Sequence, residues 1–322
     1  MTSWRPSASL ETLRDRALLL SIVREFFAER GVLEVDTPAL SQAANPDAAI
    51  DSIAAVADAS GKGDGPNYYL HTSPEFFMKR LLAAGSGSIY QVCHVFRDGE
   101  CGRLHNPEFS MLEWYRTGFD MEQLMDEVDL LMRELLPEQN APAERIDYQT
   151  LFSHCTGIDL GSASTADMHR LAEDYGLVLS SQNPDDGLVP ILFDLATESW
   201  MQERGGVIVH GFPASQASLA KLSANDASVA LRFEYYYGGV ELANGFEELT
   251  DPLEQTRRFD VELSKRKRLG KPAVPLDERF ISALQHGLPD CSGVAVGIDR
   301  ILMLRNSRQE LADVLAFAFS RA

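Results

Sequence analysis

Two neighbouring segments carry side chains that could hold a nucleotide beside an amine. Residues 88–97 and 107–116 each predict a β-strand, in which alternate side chains share a face. One face of the second strand carries Phe109, Met111, Glu113 and Tyr115. The matching face of the first strand carries Gln91, Cys93, Val95 and Arg97. A ring suits a base, an arginine a phosphate and a carboxylate an ammonium. Taken alone, these residues fit an exposed polar sheet face equally well.

A second group of carboxylates lies in residues 241–248 (ELANGFEE). Two carboxylates together with phosphate oxygens are a common way to hold Mg²⁺. Glu241 and Glu248 are an odd number of residues apart, so a regular strand would point them to opposite faces. We therefore predict a β-bulge at Gly245 that brings them to one site. The alternative is a pair of solvated surface carboxylates.

A third segment, residues 293–300 (GVAVGIDR), combines small residues with an arginine. Small residues on a strand let a ligand approach the backbone closely. Arg300, in the first turn of the helix that follows, could meet a phosphate or stack on a base. A packed strand-to-helix junction with a surface arginine is the alternative.

The elements that must position these groups mix helices and strands. Apolar periodicity and capping signals predict helices near 10–27, 74–82, 251–269, 276–286 and 298–306, a helix capped by Asp120, and mostly helix from 147 to 204. Strands are predicted at 32–35, 68–71, 88–97, 107–116, 207–212, within 229–249 and at 293–297, with a hairpin loop at 61–65 and a surface connection at 137–147. Short turns between strands imply an α+β domain on a mainly antiparallel sheet flanked by helices. A Rossmann fold is excluded because the glycines at 293 and 297 do not form its fingerprint.

Charge and composition narrow the class of protein. A net charge of −19 argues against binding to long nucleic acid and suits a protein partner with a basic patch. The basic cluster at 265–268 is predicted to be the solvated last turn of a helix. Four cysteines without a CxxC pair give little support to a zinc site. No membrane-spanning run or secretory signal is present, so we expect a cytoplasmic protein.

The order of these segments resembles the class II aminoacyl-tRNA synthetases over essentially the whole chain. Residues 96–109 look like motif two, and residues 293–300 look like motif three. Residues 31–38 (GVLEVDTP) look like motif one, which in that family builds the dimer interface. The resemblance narrows to the lysyl branch at residues 72–75 (TSPE), 109–115 (FSMLEWY) and 241–246 (ELANGF).

Within that branch, the chain resembles most the lysyl-tRNA synthetase paralogues that modify elongation factor P. Residues 212–220 and 289–295 carry this resemblance. Motif one begins at Gly31, so we expect residues 1–322 to form a single catalytic domain without an anticodon-binding domain. Ser73 and Ala295 stand where lysyl-tRNA synthetases carry other small residues, and such changes could favour a β-amino acid.

The resemblance implies ATP-dependent activation of lysine or (R)-β-lysine as an aminoacyl-adenylate. The aminoacyl group would pass to the ε-amine of a specific lysine of elongation factor P, on a homodimer that does not read anticodons. The implied catalytic residues are Arg97, Glu241, Glu248 and Arg300, with Mg²⁺ on Glu241 and Glu248. The implied ATP site adds Asp98, Gly99, Glu100, His105, Asn106, Phe109, Leu242 and Gly297. The implied lysine site comprises Ser73, Pro74, Glu75, Glu113, Tyr115, Asn244, Glu248 and Ala295.

One position departs from the family pattern, which places a glutamate near the adenine amino group two residues after the motif-two arginine. Here that position is Gly99 and Glu100 follows, so either Glu100 takes the role or backbone groups of Asp98 and Gly99 hold the adenine. Two other functions remain open: an enzyme that charges tRNA or forms a free amide, and an inactive regulator. The intact catalytic set argues against the regulator, and the acidic charge argues against tRNA.

Overall fold

The computed structural model describes residues 4–56, 67–179 and 187–322, so the hairpin loop predicted at 61–65 lies outside the described residues. Within those ranges the helices are α1 (Leu10–Glu29), α2 (Glu75–Ala83), α3 (Met121–Leu135), α4 (Tyr148–Thr156), α5 (Thr165–Asp174), α6 (Leu188–Gln202), α7 (Pro252–Arg268), α8 (Glu278–Gly287) and α9 (Ile298–Arg305). The strands are β1 (Leu33–Glu34), β2 (Leu40–Ser41), β3 (Ala54–Val56), β4 (Asn67–Leu70), β5 (Ile89–Phe96), β6 (Glu108–Thr117), β7 (Glu144–Asp147), β8 (Gly206–Pro213), β9 (Val229–Tyr237), β10 (Val240–Glu247) and β11 (Cys291–Gly297). No helix of these ranges is long and apolar enough to cross a membrane.

Several of these helices begin at the residues that local capping signals in the sequence predict. Asp120 caps α3 through a capping box, in which its carboxylate accepts from the Gln123 amide and the Gln123 side chain accepts from the Asp120 amide. Asp251 caps α7, and Pro252 occupies the first turn, where its missing N–H costs no hydrogen bond. These helix ends are therefore encoded by residues next to them in the chain.

Eight of the described strands form one sheet in the order β1-β5-β6-β11-β10-β9-β8-β7. The β1–β5 and β7–β8 pairs are parallel, and the other pairs are antiparallel. A small antiparallel sheet holds β2, β4 and β3. The predicted α+β fold with a mainly antiparallel sheet flanked by helices is confirmed.

The alternation along β6 divides its side chains between two layers. Trp114 points into an apolar core with α1, α3 and α9, where its ring meets Phe27 at a centroid distance of 5.2 Å. Tyr115 belongs to the opposite layer, which it shares with α2 and α8. A third apolar cluster joins β8 to α4 and α6, with Tyr148 stacked on Phe193 at 3.9 Å. One face of the sheet thus packs against α1, α3 and α9. The opposite face carries α2 and α8 near β6 and α4 and α6 near β8, and its part at β10 and β11 is available to line a site.

Two predictions about surface segments are wrong. The connection predicted at 137–147 contains β7, whose first residues Glu144 and Arg145 are exposed, so the strand has no apolar alternation to reveal it. The basic cluster at 265–268 does end α7, but Arg266 is buried. Its guanidinium donates to the Asp47 carbonyl and, at 2.9 Å, to the Asp51 carboxylate. Arg266 therefore fastens a loop and is not a solvated charge.

Candidate active site

A cavity of about 350 Å³ lies against the available face of the sheet. Its walls come from β6, β10 and β11, from the residues before α2, from the start of α9 and from loops near residues 45–50 and 104–106. Most of the predicted site residues line it: Ser73, Glu75, Arg97, Glu100, His105, Asn106, Phe109, Glu113, Tyr115, Glu241, Leu242, Asn244, Glu248, Ala295, Gly297 and Arg300. Pro74, Asp98 and Gly99 lie next to lining residues in the chain and are not themselves part of the lining. Gln91, Cys93 and Val95, expected on the same face, also fall outside the lining.

Glu113 is the central carboxylate of one end of the cavity. It is buried on β6 and accepts hydrogen bonds from the Ser73 hydroxyl and the Tyr115 phenol, each at 2.7 Å. Its register partner on β11 is Ala295, whose small side chain leaves room above the carboxylate. Burial, helped by repulsion from Glu75, raises the pKa of Glu113 to about 7. A ligand ammonium would restore the ionised form of this carboxyl.

Lys79 shares this acidic end of the cavity and was not recognised from the sequence. Its Nζ lies 2.6 Å from Glu75 Oε1 and 2.5 Å from Glu248 Oε2, and its side chain has no exposed surface. Burial by itself lowers the pKa of Lys79, but attraction to Glu248 and Glu75 raises it above its usual value. Burial raises the pKa of Glu248, with Lys79 acting in the opposite direction. The four-residue spacing of Glu75 and Lys79 on α2 was the available sequence signal.

Arg97 and Arg300 mark the other end of the cavity. The Arg97 guanidinium carbon lies 5.1 Å from the centre of the Phe109 ring. Arg300 donates to the Glu241 carbonyl at 2.8 Å and to His105 Nε2 at 3.0 Å. Burial and the neighbouring Arg300 lower the pKa of His105, which keeps Nε2 available as an acceptor. Two cations beside an aromatic ring suit a nucleotide phosphate and its base.

The first turn of α9, which carries Arg300, is fixed by Asp299. The buried Asp299 carboxylate accepts from Arg16 of α1 at 2.5 Å and from the Ser110 amide of β6 at 2.7 Å. These bonds join α9 to α1 and to β6. Asp299 therefore positions Arg300, and both of its carboxylate oxygens already accept hydrogen bonds within the protein.

The sequence left two options for the group that would face an adenine: the Glu100 side chain, or backbone groups of Asp98 and Gly99. The Asp98 amide donates to the Asp51 carbonyl at 2.8 Å and is occupied. Gly99 has a φ of +77° and turns the chain. Glu100 lines the cavity and lies 3.6 Å from Arg97. Glu100 therefore has its side chain in the cavity, whereas the Asp98 amide is already used within the loops.

The predicted bulge in β10 exists, but it lies elsewhere than predicted. Pairing with β9 shifts between Glu241 and Ala243, whereas Gly245 stays in register with Phe233. A Cβ on Gly245 would lie 2.4 Å from the Phe233 ring, so this glycine makes room for the ring. The extra residue lies between the two predicted metal ligands, and both Glu241 and Glu248 line the cavity, where Glu248 is also paired with Lys79 at the acidic end.

Glu241 also repels two acidic groups, Glu234 and Asp194, that sequence reasoning missed. Glu234, on the neighbouring strand, accepts hydrogen bonds from Arg232 and Tyr236. Burial raises the pKa of Glu234 to about 7, with Arg232 opposing and Glu241 adding to the shift. Asp194 of α6 also has a pKa raised to about 6 by burial and by Glu241. The positions of Glu234 and Glu241 on either side of the Gly238-Gly239 turn were the available signal.

This acidic group consists of carboxylates, a type of side chain that can hold a metal ion. Carboxylate oxygens are the ligands that Mg²⁺ prefers, and a cation would relieve the repulsion between Glu234 and Glu241. Glu241 lines the cavity and fits a Mg²⁺ that phosphate oxygens would also bind, whereas Glu234 lies outside the lining and its two oxygens already accept from Arg232 and Tyr236. Within the described ranges, no group of three or more His, Cys, Asp or Glu side chains is arranged to hold a metal.

Known proteins match this chain over essentially its whole length. Residues 1–321 match the family of class II tRNA synthetases (D, K and N). A protein of Edwardsiella ictaluri named elongation factor P--(R)-beta-lysine ligase is 48% identical over 324 residues, which cover 100% of this chain and 99% of that protein. A protein of Pectobacterium carotovorum with the same name is 47% identical over 323 residues, with 100% and 99% covered. This chain, whose predicted site residues mostly line one cavity, belongs to the class II tRNA synthetases of the D, K and N group.

Proposed function

We propose that this protein activates (R)-β-lysine or lysine with ATP and transfers the aminoacyl group to the ε-amine of a specific lysine of elongation factor P. Relatives that carry this activity in their name match over their full length. The observation that carries the proposal is the charge balance at the acidic end of the cavity. Glu75, Glu113 and Glu248 supply three carboxylates there, against the one ammonium of Lys79. A ligand with two ammonium groups balances this site when the carboxylates are ionised.

The side chains at that end would bind the amino acid. Glu75, Glu113 and Glu248 would accept from its amines, and Tyr115 would support Glu113. Ser73, Pro74, Asn244 and Ala295 would shape the space around the chain of the substrate. The buried Asn244 Oδ1 has no hydrogen-bond partner within the described ranges, so it is available to a substrate donor.

The side chains at the other end would bind ATP. Phe109 and Arg300 would enclose the adenine near Glu100, and His105 and Arg300 would meet the γ-phosphate beside Asn106, Leu242 and Gly297. Arg97 would hold the α-phosphate, where charge builds as the substrate carboxylate attacks. Glu241 and Glu234 would hold Mg²⁺, which neutralises phosphate charge when bound. Glu248, which lines the cavity with Glu241, is the alternative second carboxylate.

Two steps complete the reaction. The substrate carboxylate attacks the α-phosphorus of ATP, which gives the aminoacyl-adenylate and pyrophosphate. The neutral ε-amine of the acceptor lysine then attacks the activated carbonyl carbon, so that an amide forms, AMP leaves and one proton is released. In both steps the protein acts by alignment and by stabilising charge.

A homodimer in the cytoplasm is part of the proposal. Leu10 and Leu18 of α1 and Leu33 of β1 are exposed, by 65%, 52% and 55%, and a second copy would cover this apolar surface. Because the proposed acceptor is an elongation factor, we expect the reaction to take place in the cytoplasm. A monomeric mass in solution at working concentration would contradict the dimer.

The proposed reaction can be tested by intact mass spectrometry of unmodified elongation factor P. The factor is incubated with this protein, ATP, Mg²⁺ and either lysine isomer, and tRNA charging is assayed in parallel. We expect the factor to gain the mass of one lysyl group without charged tRNA. Charged tRNA without a mass gain would identify a synthetase, and no product in either assay, with no pyrophosphate exchange, would identify a regulator.

A further inference from the structure

Lys79 is a fully buried charged side chain to which the proposed chemistry assigns no step. Its Nζ contacts Glu75 Oε1 and Glu248 Oε2, which come from α2 and from the residue that directly follows β10. A buried ammonium is tolerated only when it is paired, and here it has two carboxylate partners. The pairs join an element early in the chain to one far along it, at the closed end of the cavity.

Lys79 contacts one carboxylate oxygen of Glu75 and one of Glu248, so the second oxygen of each glutamate is not used by the lysine. Lys79 takes Oε2 of Glu248, whereas Oε1 lies on the side of Gly293, where an added Cβ would be 2.6 Å away. Gly293 lines the cavity, so this oxygen faces the space that a ligand would fill. Glu75 likewise gives Oε1 to Lys79 and keeps Oε2. The lysine therefore orients two carboxylates and leaves each with an oxygen for another donor.

We infer that Lys79 is a positioning residue that determines substrate specificity, because it holds Glu75 and Glu248 with one oxygen each toward the substrate amine and sets the number of ammonium groups that the site requires. With Lys79 in place, the three carboxylates of this end retain two uncompensated negative charges. An amino acid with two amines matches them, and one with a single amine leaves a buried carboxylate unpaired. A site that is built to bind a polar group strongly rejects analogues that lack this group. This inference rests on the proposed function.

The test is chemical rescue of Lys79→Ala in ATP–pyrophosphate exchange with lysine or (R)-β-lysine. We expect the substitution to raise the KM for the diamino acid by about 30-fold or more, with a smaller effect on kcat, as for other buried charge pairs that lose a partner. Propylammonium replaces the deleted atoms and their charge, so it should lower the KM again. The uncharged 1-propanol should not. A role in packing alone would respond to both additives.

Lys221 offers a matched control. It also has two carboxylate partners, Asp290 at 2.7 Å and Glu247 at 3.5 Å, but it is partly exposed and outside the cavity lining. We expect the KM of Lys221→Ala not to respond to propylammonium. If Lys79→Ala does not fold, Lys79→Met keeps the length of the side chain without its charge. In that variant the preference for lysine over norleucine should fall, because Glu75 and Glu248 then share a proton and hold an ammonium less firmly.

The outcomes separate this inference from the function on which it rests. If the unaltered protein activates neither diamino acid, the proposed function fails. If it does activate one, a wild-type KM in Lys79→Ala, or equal rescue by 1-propanol, overturns the inference. A Lys79→Met variant with unchanged KM and unchanged preference over norleucine overturns it as well.

Discussion

Gly293 of β11 lies against the ring of Tyr115, its register partner on β6. A Cβ at Gly293 would stand 2.3 Å from Tyr115 Cε1 and 2.6 Å from Glu248 Oε1. Both distances are far below van der Waals contact, so the absence of a side chain at this position allows the ring and the carboxylate to meet. The requirement comes from packing, since Gly293 does not have a positive φ.

Replacement of Gly293 with alanine should therefore damage the amino-acid end of the cavity. Overpacking of this kind costs about 1–3 kcal/mol, and we expect the KM for lysine to rise by about tenfold or more. Pyrophosphate exchange at varied lysine measures this. Gly297→Ala is the matched control on the same strand, because its added Cβ would be 3.7 Å from the nearest atom of Arg300, and its effect should be much smaller. An unchanged lysine KM in Gly293→Ala would contradict this interpretation.

Arg97 should be essential for activation and dispensable for folding. Its guanidinium is partly exposed and contacts the Phe109 ring and, at 3.6 Å, Glu100. Loss of a charge that stabilises a transition state lowers kcat by about 100- to 1,000-fold. Pyrophosphate exchange and thermal melting of Arg97→Ala measure the two properties separately. Exchange at the wild-type rate in this variant would refute the assigned role.

Glu234 and Glu248 should respond differently to neutralisation. If Glu234 and Glu241 hold Mg²⁺, Glu234→Gln should raise the Mg²⁺ concentration needed for half-maximal activity, because a hard ligand oxygen has lost its charge. Glu248→Gln should instead raise the KM for lysine at saturating Mg²⁺. The measurement is a Mg²⁺ titration of pyrophosphate exchange in both variants. The opposite pattern would return the metal to the pair predicted from the sequence.

Binding of the amino acid should release protons near neutral pH. The pKa of Glu113 is raised by burial to about 7, so the free protein keeps a proton on this carboxyl over part of that range. An arriving ammonium favours the ionised carboxylate, and the KM for lysine should fall as the pH rises from about 6 to about 8. Calorimetry of lysine binding in buffers of different ionisation enthalpy counts the protons released. Proton uptake, or no exchange, would count against Glu113 as an ammonium ligand.

The same shift predicts how the stability of the ligand-free protein depends on pH. The folded pKa of Glu113 lies above the value of about 4.3 for an unfolded chain, so the folded state binds the proton more tightly. The contribution of this group to stability therefore falls as the pH rises from about 4 to about 7. Glu113→Gln should flatten this part of the dependence of the melting temperature on pH.

Asp120 should matter for stability and not for catalysis. Its capping box satisfies the amide of Gln123 at the start of α3, and Asp120 is outside the cavity lining. Asp120→Ala should lower the free energy of unfolding by about 1 kcal/mol with activity retained. Denaturant unfolding and pyrophosphate exchange measure these effects. A loss of activity without a loss of stability would contradict the assignment.

The sequence by itself determined the elements and the side-chain faces that depend on neighbours in the chain. The period-two pattern of β6 placed Phe109, Glu113 and Tyr115 on the cavity side, as the structure has them. Capping residues marked the starts of α3 and α7. These signals are local, because strand alternation and helix capping act over a few residues.

Only the tertiary structure decided which charges meet. Glu248 pairs with Lys79 of α2, which is far away in the chain and was not recognised from the sequence. The bulge of β10 forms between Glu241 and Ala243, and Gly245 instead makes room for the Phe233 ring of the neighbouring strand. Arg266 is buried because a distant loop supplies carbonyl acceptors. Such contacts depend on how separate elements pack and on the cost of leaving a buried charge unpaired, and no local pattern carries that information.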